Sequence, residues 1–142
     1  MSQSYISPAL RRRVAEVARY RCGYCLTSQT TIGIPLHIEH IVPLVSDGET
    51  VFENLWLACP SCNGYKSART QAIDPETNQE VPLFNPRIQI WKEHFAWSAD
   101  GAEILGLTPI GRATVVALKM NNEYVVPSRR VWVAAKLHPP TD

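Results

Sequence analysis

Apolar residues recur along this chain in short runs with changing period. Leu10, Val14, Val17 and Ala18 fall at helical spacing. Ser7-Pro8 supplies an N-cap and a proline at the first helical position, so a helix is predicted to about residue 20. Residues 27–35 read as loop. Residues 36–42 alternate as a short strand, with Leu36, Ile38 and His40 on one face and His37, Glu39 and Ile41 on the other. Pro43 ends it, because proline cannot donate to a ladder. Ser46-Asp47-Gly48-Glu49 is a turn, and Leu55-Trp56-Leu57-Ala58 is the returning strand. A helix follows from residue 61 to about residue 69. The middle of the chain is therefore strand, loop, strand and helix.

The remainder has a different rhythm. Residues 74–78 form a turn, and Trp91, Phe95 and Trp97 sit in a predicted strand. Residues 99–102 turn it back, and residues 103–106 return. Thr108-Pro109 starts a helix to about Met120. A last helix spans about 124–137, with Pro127 in its first turn and Pro139-Pro140 as its stop. No repeat and no low-complexity segment interrupts the pattern. The fold class expected is α+β. Its organisation is a core in residues 1–72 and an extension in residues 73–142 packed on that core.

Composition changes this picture little. The chain has 142 residues, 45% of them hydrophobic and 19% charged, which suits a globular protein and excludes a disordered chain or a fibre. No 18-residue apolar run predicts a membrane span. No apolar stretch suited to a signal peptide accompanies Arg11, Arg12 and Arg13, so a reducing cytoplasm is the expected setting. Charge is more informative in its distribution than in its total of +1. Arg11, Arg12, Arg13, Arg19 and Arg21 stand against a single Glu16. No Lys or Arg occurs from Leu26 to Tyr65, where Glu39, Asp47, Glu49 and Glu53 fall. Basic flanks suit a polyanion and an acidic centre suits a cation, although a solvated helix face also accounts for the arginines.

All four cysteines lie in two Cys-x-x-Cys units, Cys22/Cys25 and Cys59/Cys62, with residues 26–58 between them. Two such knuckles are the sequence form of a four-thiolate structural zinc site. Disulfides do not suit a reducing compartment, and a thioredoxin-like pair needs one unit in a βαβ context. Glu39-His40, Asn54 and Asn63 then have the types that phosphodiester hydrolysis needs. Histidine titrates near the working pH and can take a proton from water. Glu39 and Asn63 offer hard oxygen ligands. Lys66, three residues beyond Asn63, can meet a phosphate as a point charge.

The order Cys22-x-x-Cys25, His37-Ile-Glu-His40-Ile-Val-Pro43, Glu53-Asn54-Leu55 and Cys59-x-x-Cys62-Asn63-x-x-Lys66 resembles the HNH endonuclease family, with its zinc-stapled ββα-metal core. That stretch covers about residues 20–70. Residues 82–87, Trp91, His94, Trp97, 106–114 and 120–121 also resemble the C-terminal part of a bacterial subgroup. The resemblance implies a treble-clef-like zinc finger with an N-terminal helix and a C-terminal hairpin and helices. It implies His40 as general base, Glu39 and Asn63 as ligands of a catalytic Mg²⁺ or Mn²⁺, and Asn54 as the loop brace that orients the base. His37, Lys66, Arg69 and Arg87 are candidates for phosphate contact. Asparagine at 63, where the family often has histidine, implies an H-N-N site that holds metal loosely. The implied partner is DNA, with RNA left open as a substrate. One motif cuts one strand, so a double-strand break would need a homodimer or two events. The rival readings are a non-catalytic zinc module that binds nucleic acid and a treble-clef protein-interaction domain.

Overall fold

The computed structural model describes residues 5–141; the extreme ends of the two predicted segments, residues 1–4 and 142, lie outside the described residues. The chain clusters into two compact units. One holds the chain up to Thr70 together with Asn85–Ile88, and the other begins at Gln71 and takes the rest. Both combine helices with two-stranded antiparallel sheets, so the fold class is α+β.

The first unit opens with α1 (Pro8–Val17), where the Ser7 side chain accepts from the Leu10 amide at 3.1 Å. Such a cap satisfies one of the amides that a helix start leaves unpaired. Val14 and Ala18 are buried, but Val17 is 44% exposed, so the apolar stripe is narrower than its spacing predicts. The helix also stops before residue 20. Arg19 and Tyr20 both take positive φ, near +57°, and turn the chain into the first knuckle. Residues 27–35 are not all loop. Ser28 caps a single helical turn, α2 (Gln29–Ile32), which Gly33 closes in the left-handed region at φ +73°. That conformation costs glycine little, since it has no Cβ to clash.

Strands β1 (His37–His40) and β2 (Leu55–Ala58) pair antiparallel, with His37 opposite Ala58 and His40 opposite Leu55. β1 is shorter than its apolar run. Beyond His40 the chain bonds instead to Asn54, whose backbone carbonyl accepts from the Ile41 amide at 2.9 Å. Two short 3-10 turns, Leu44–Ser46 and Phe52–Asn54, fill the connection. Helix α3 (Pro60–Lys66) starts directly in the second knuckle, with Cys59 as its N-cap. It ends three residues earlier than predicted, because Ser67 adopts φ +51°.

In the second unit the turn at 74–78 joins β3 (Gln71–Ile73) to β4 (Glu80–Pro82), a hairpin that the polar sequence does not advertise. Trp91 is not in a strand. It opens a helical turn, α4 (Trp91–His94), before β5 (Phe95–Trp97) pairs with β6 (Ile104–Gly106). The aromatic spacing still brings rings together, with Trp91 centroids 5.1 Å from Phe95 and 5.4 Å from Trp97. Helices α5 (Pro109–Ala117) and α6 (Val125–Ala134) complete the unit. Arg112 pairs through Nε with Asp74 Oδ1 at 2.9 Å and with Glu76 at 3.3 Å. Arg129 is fully buried and donates to the carbonyls of Ala102 and Met120. His94 lies edge-on to Phe84, with Nδ1 2.7 Å from the Thr108 hydroxyl, as suits a packed histidine.

Candidate metal centre and nuclease site

The two knuckles converge. The ligand atoms of Cys22, Cys25, Cys59 and Cys62 all lie within 4.8 Å of one another, and all four residues are buried. The Cys25 and Cys59 sulfurs are 3.7 Å apart. A disulfide needs about 2.05 Å. A tetrahedron with Zn–S bonds of about 2.3 Å sets its sulfurs about 3.8 Å apart, which matches. Local hydrogen bonds favour the thiolate form. The Tyr24 amide approaches Cys22 Sγ at 3.4 Å, the Cys62 amide approaches Cys59 Sγ at 3.3 Å, and the Thr27 hydroxyl lies 3.1 Å from Cys25 Sγ. Burial pushes the Cys22 thiol up, while hydrogen bonds from the other cysteines pull Cys25 down. Four sulfurs buried this closely need a cation, and the donor set suits zinc.

Above this centre, the β1–β2 hairpin packs against α3, and its loop carries the second constellation. His40 is half-buried, and its Nε2 lies 2.9 Å from the Thr50 hydroxyl. Burial and, secondarily, the Lys66 charge hold the imidazole below its ordinary value. Asn54 clamps the loop at both ends. Its Oδ1 accepts from the Val42 amide at 2.9 Å, and its Nδ2 donates to the carbonyls of Val42 and Glu49 at 3.0 and 2.9 Å.

Residues 22–69 match the family model described as HNH endonuclease. The chain carries an HNH domain. The matched segment holds both knuckles, β1, β2 and α3, and HNH domains act on nucleic acids. Comparisons with curated proteins and with solved structures found no match.

Within this HNH domain the structure distributes the sequence-derived residues unevenly. Glu39 is only 5% exposed, on the inward face of β1, opposite to what simple alternation suggests. Its Oε1 accepts from the Tyr24 hydroxyl at 2.8 Å and lies 3.4 Å from Lys66 Nζ. Its Oε2 is buried and has no partner. Burial raises the carboxyl's affinity for its proton, and the Lys66 charge opposes that rise. Lys66 does not extend towards a phosphate as the sequence suggests. It is buried, and its ammonium also donates to the carbonyls of His40 and Ile41 at 3.4 and 3.2 Å. A long apolar stem on the inner face of α3 and a carboxylate across the gap draw it inward. Asn63 is half-exposed on α3, His37 is exposed at the start of β1, and Arg69 is exposed just past α3. Arg87 also departs from the phosphate role. It lies within the first unit, with its guanidinium over the rings of Phe52 and Trp56. Sequence reasoning missed Tyr24 and Thr50. Nothing in the pattern marks Thr50, whereas Tyr24 sits inside the first knuckle, where its side chain has a fixed direction.

The donor chemistry around Glu39 admits a hard divalent cation. The partnerless Oε2 is an unused carboxylate oxygen, and the Asn63 amide is a second oxygen donor on the adjacent helix. Lys66 is the competitor, since it already neutralises part of the same carboxylate. Among the described residues, the four cysteines are the one close group of three or more His, Cys, Asp or Glu side chains suited to a metal. Any second cation therefore has a sparse donor set. Among the described residues no helix is long and apolar enough to cross a membrane.

Proposed function

We propose that this protein is a divalent-metal-dependent endonuclease that hydrolyses DNA phosphodiester bonds, with His40 as the general base. The observation that carries this reading is the setting of His40. A half-buried imidazole sits at the end of β1, anchored by Thr50 beside a loop that Asn54 holds at three points. A base must be unprotonated and held in place to take a proton from water as it attacks phosphorus. Glu39 and Asn63 would hold Mg²⁺ or Mn²⁺, which would neutralise charge developing on the phosphate and on the leaving 3′ oxygen.

In this reading the protein's own residues divide the work. His40 accepts the water proton, and Thr50 fixes the ring's orientation. Asn54 keeps the loop from drifting relative to β1. The zinc centre fixes the root of α3 and, through Tyr24, one oxygen of Glu39. His37 and Arg69, both exposed, are the residues offered for phosphate contact. The products would be a 3′ hydroxyl and a 5′ phosphate. Residues 1–72 would be the catalytic core and 73–142 its extension, and a cut of both strands would need two sites, supplied by a homodimer or by successive events.

Nicking of supercoiled plasmid tests this reading. Chelator-treated protein that retains zinc is given Mg²⁺ or Mn²⁺, with wild type beside His40→Ala. Metal-dependent open circles that vanish in His40→Ala support it. Activity that survives in His40→Ala overturns the assignment of the base. Binding without cleavage, on plasmid, single strands and RNA alike, favours the non-catalytic module.

A further inference from the structure

The family match ends at residue 69, yet the unit that contains it takes in Asn85–Ile88 from further along the chain. Arg87 lies in this returning segment. Its Nη2 donates to the carbonyl of Phe52 at 2.8 Å and to that of Leu55 at 2.9 Å. Phe52 opens the 3-10 turn Phe52–Asn54, and Leu55 is the residue that closes it. The guanidinium carbon sits 4.3 Å from the Phe52 ring centroid and 4.9 Å from that of Trp56. From α1, the Arg13 guanidinium stacks on the same Phe52 ring at 4.0 Å. The segment stiffens itself, with the Asn85 side chain accepting from the Arg87 amide at 2.9 Å. Pro86 adds a second attachment. A Cβ at Gly23 would lie 2.8 Å from Pro86 Cβ and would also collide with the Trp56 ring, so the first knuckle passes close beneath both.

This placement has a cost that calls for a reason. The guanidinium is partly desolvated, and burial lowers its hold on the proton. Its Nε is buried without a partner. A cation near a polyanion-binding site normally faces the solvent, but this one points inward at two carbonyls. Both bonds leave the one nitrogen Nη2 while the planar guanidinium stacks on the Phe52 and Trp56 rings, and lysine's compact ammonium does not reproduce that stacked geometry.

We propose that Arg87 is a positioning residue for the nuclease site, acting through Asn54. This inference rests on the function proposed above. The chain of contacts is continuous. Arg87 holds the carbonyls on either side of Asn54. Asn54 holds Val42 and Glu49. Next to Glu49 is Thr50, whose hydroxyl holds His40 Nε2. Release of Arg87 frees the 3-10 turn to shift, and the base loses its fixed orientation with no change in the groups that bind DNA. The segment 85–88 is thus a working part of the HNH unit, although it lies outside the matched residues.

The test compares full-length wild type, Arg87→Lys and Arg87→Ala by plasmid nicking with Mn²⁺, by zinc content and by amide hydrogen exchange. Both variants are expected to keep one zinc per chain. Nicking kcat should fall about tenfold or more, with KM unchanged within about twofold. The Val42 amide, which bonds to Asn54 Oδ1, should exchange about tenfold faster. The Gly23 amide, which bonds to the Leu57 carbonyl at 2.8 Å, should keep its rate as the internal control. Arg87→Lys keeps charge and stem, so it decides the matter should Arg87→Ala lose zinc. Unchanged kcat and unchanged Val42 exchange overturn the proposal. A raised KM at constant kcat also overturns it, and makes Arg87 a DNA contact. A wild type that does not nick at all refutes the nuclease reading instead. In that case accelerated Val42 exchange in Arg87→Lys still supports the brace, and unchanged exchange rejects it.

Discussion

Replacing Lys66 with methionine isolates the charge that Glu39 depends on. Methionine keeps most of the stem but removes the ammonium. In the native protein Nζ lies 3.4 Å from Glu39 Oε1, and the two side chains are 4% and 3% exposed. At an effective dielectric constant of about 20, two unit charges at that distance attract by about 5 kcal/mol. Removal of one partner from a buried pair costs about 3–5 kcal/mol, because the remaining charge is left without a counter-ion. Native domains are stable by about 5–15 kcal/mol, so the loss should be plain in a denaturant titration at fixed zinc and pH 7. The double variant Lys66→Met/Glu39→Gln removes the stranded charge. It should lose only about 1–2 kcal/mol, mainly from the His40 and Ile41 carbonyls that Lys66 no longer meets. The same variants test the proposed cation. With Lys66 gone, Mn²⁺ at a hundred times its Kd should return about 2.7 kcal/mol to Lys66→Met and nothing to the double variant. A single variant that loses less than about 1 kcal/mol would refute the pair's structural weight. Stability of Lys66→Met unmoved by Mn²⁺ would refute Glu39 as a ligand.

Three further outcomes follow from other parts of the molecule. Strong chelation, or Cys59→Ser, should unfold the first unit, since a structural Zn²⁺ contributes on the order of 10 kcal/mol to a domain this small; metal analysis should return one zinc per folded chain. In the second unit, Arg112 holds the Asp74 carboxyl far below the ordinary carboxylate range, with help from the Thr77 hydroxyl and the Glu76 amide. That stabilisation is complete above the unfolded value of about 3.9 and is lost as pH falls towards the folded one, so acid melts of wild type should steepen below about pH 4 and Asp74→Asn should flatten them. Gly111 leaves no room for a side chain because a Cβ there would collide with the His94 carbonyl oxygen, and Gly111→Ala should cost about 1–3 kcal/mol in thermal melts.

What could be read from the sequence was local. The Ser7 and Thr108 caps, each of the two knuckles and the turn at 74–78 depend on residues a few positions apart. The β3–β4 hairpin escaped because three-residue strands such as Gln71-Ala72-Ile73 leave too little alternation to detect. The inward turn of Glu39 escaped for a different reason. A polar residue on a strand is expected outside, and it goes inside here because Tyr24, fifteen positions earlier, and Lys66, on another element, meet its carboxylate there. No period encodes such a pairing.

The same contrast bears on how the HNH unit is built. In the proposed nuclease its motif residues would supply the chemistry, but several are held by side chains outside the motif. His40 relies on Thr50, and Asn54 sits between two carbonyls gripped by Arg87 from beyond the matched segment. A hydrolase that uses one histidine and few metal donors has little redundancy in its site. A small error in the orientation of the imidazole cannot be offset by a second base or by a rich ligand cage. Such a site therefore needs a stiff loop more than a strongly binding metal does. The contacts that stiffen it are the zinc centre beneath, the amide of Asn54 across the loop and the guanidinium of Arg87 beside it. Variants of these supporting residues should lower turnover without weakening DNA binding, whereas variants of exposed His37 and Arg69 should do the reverse.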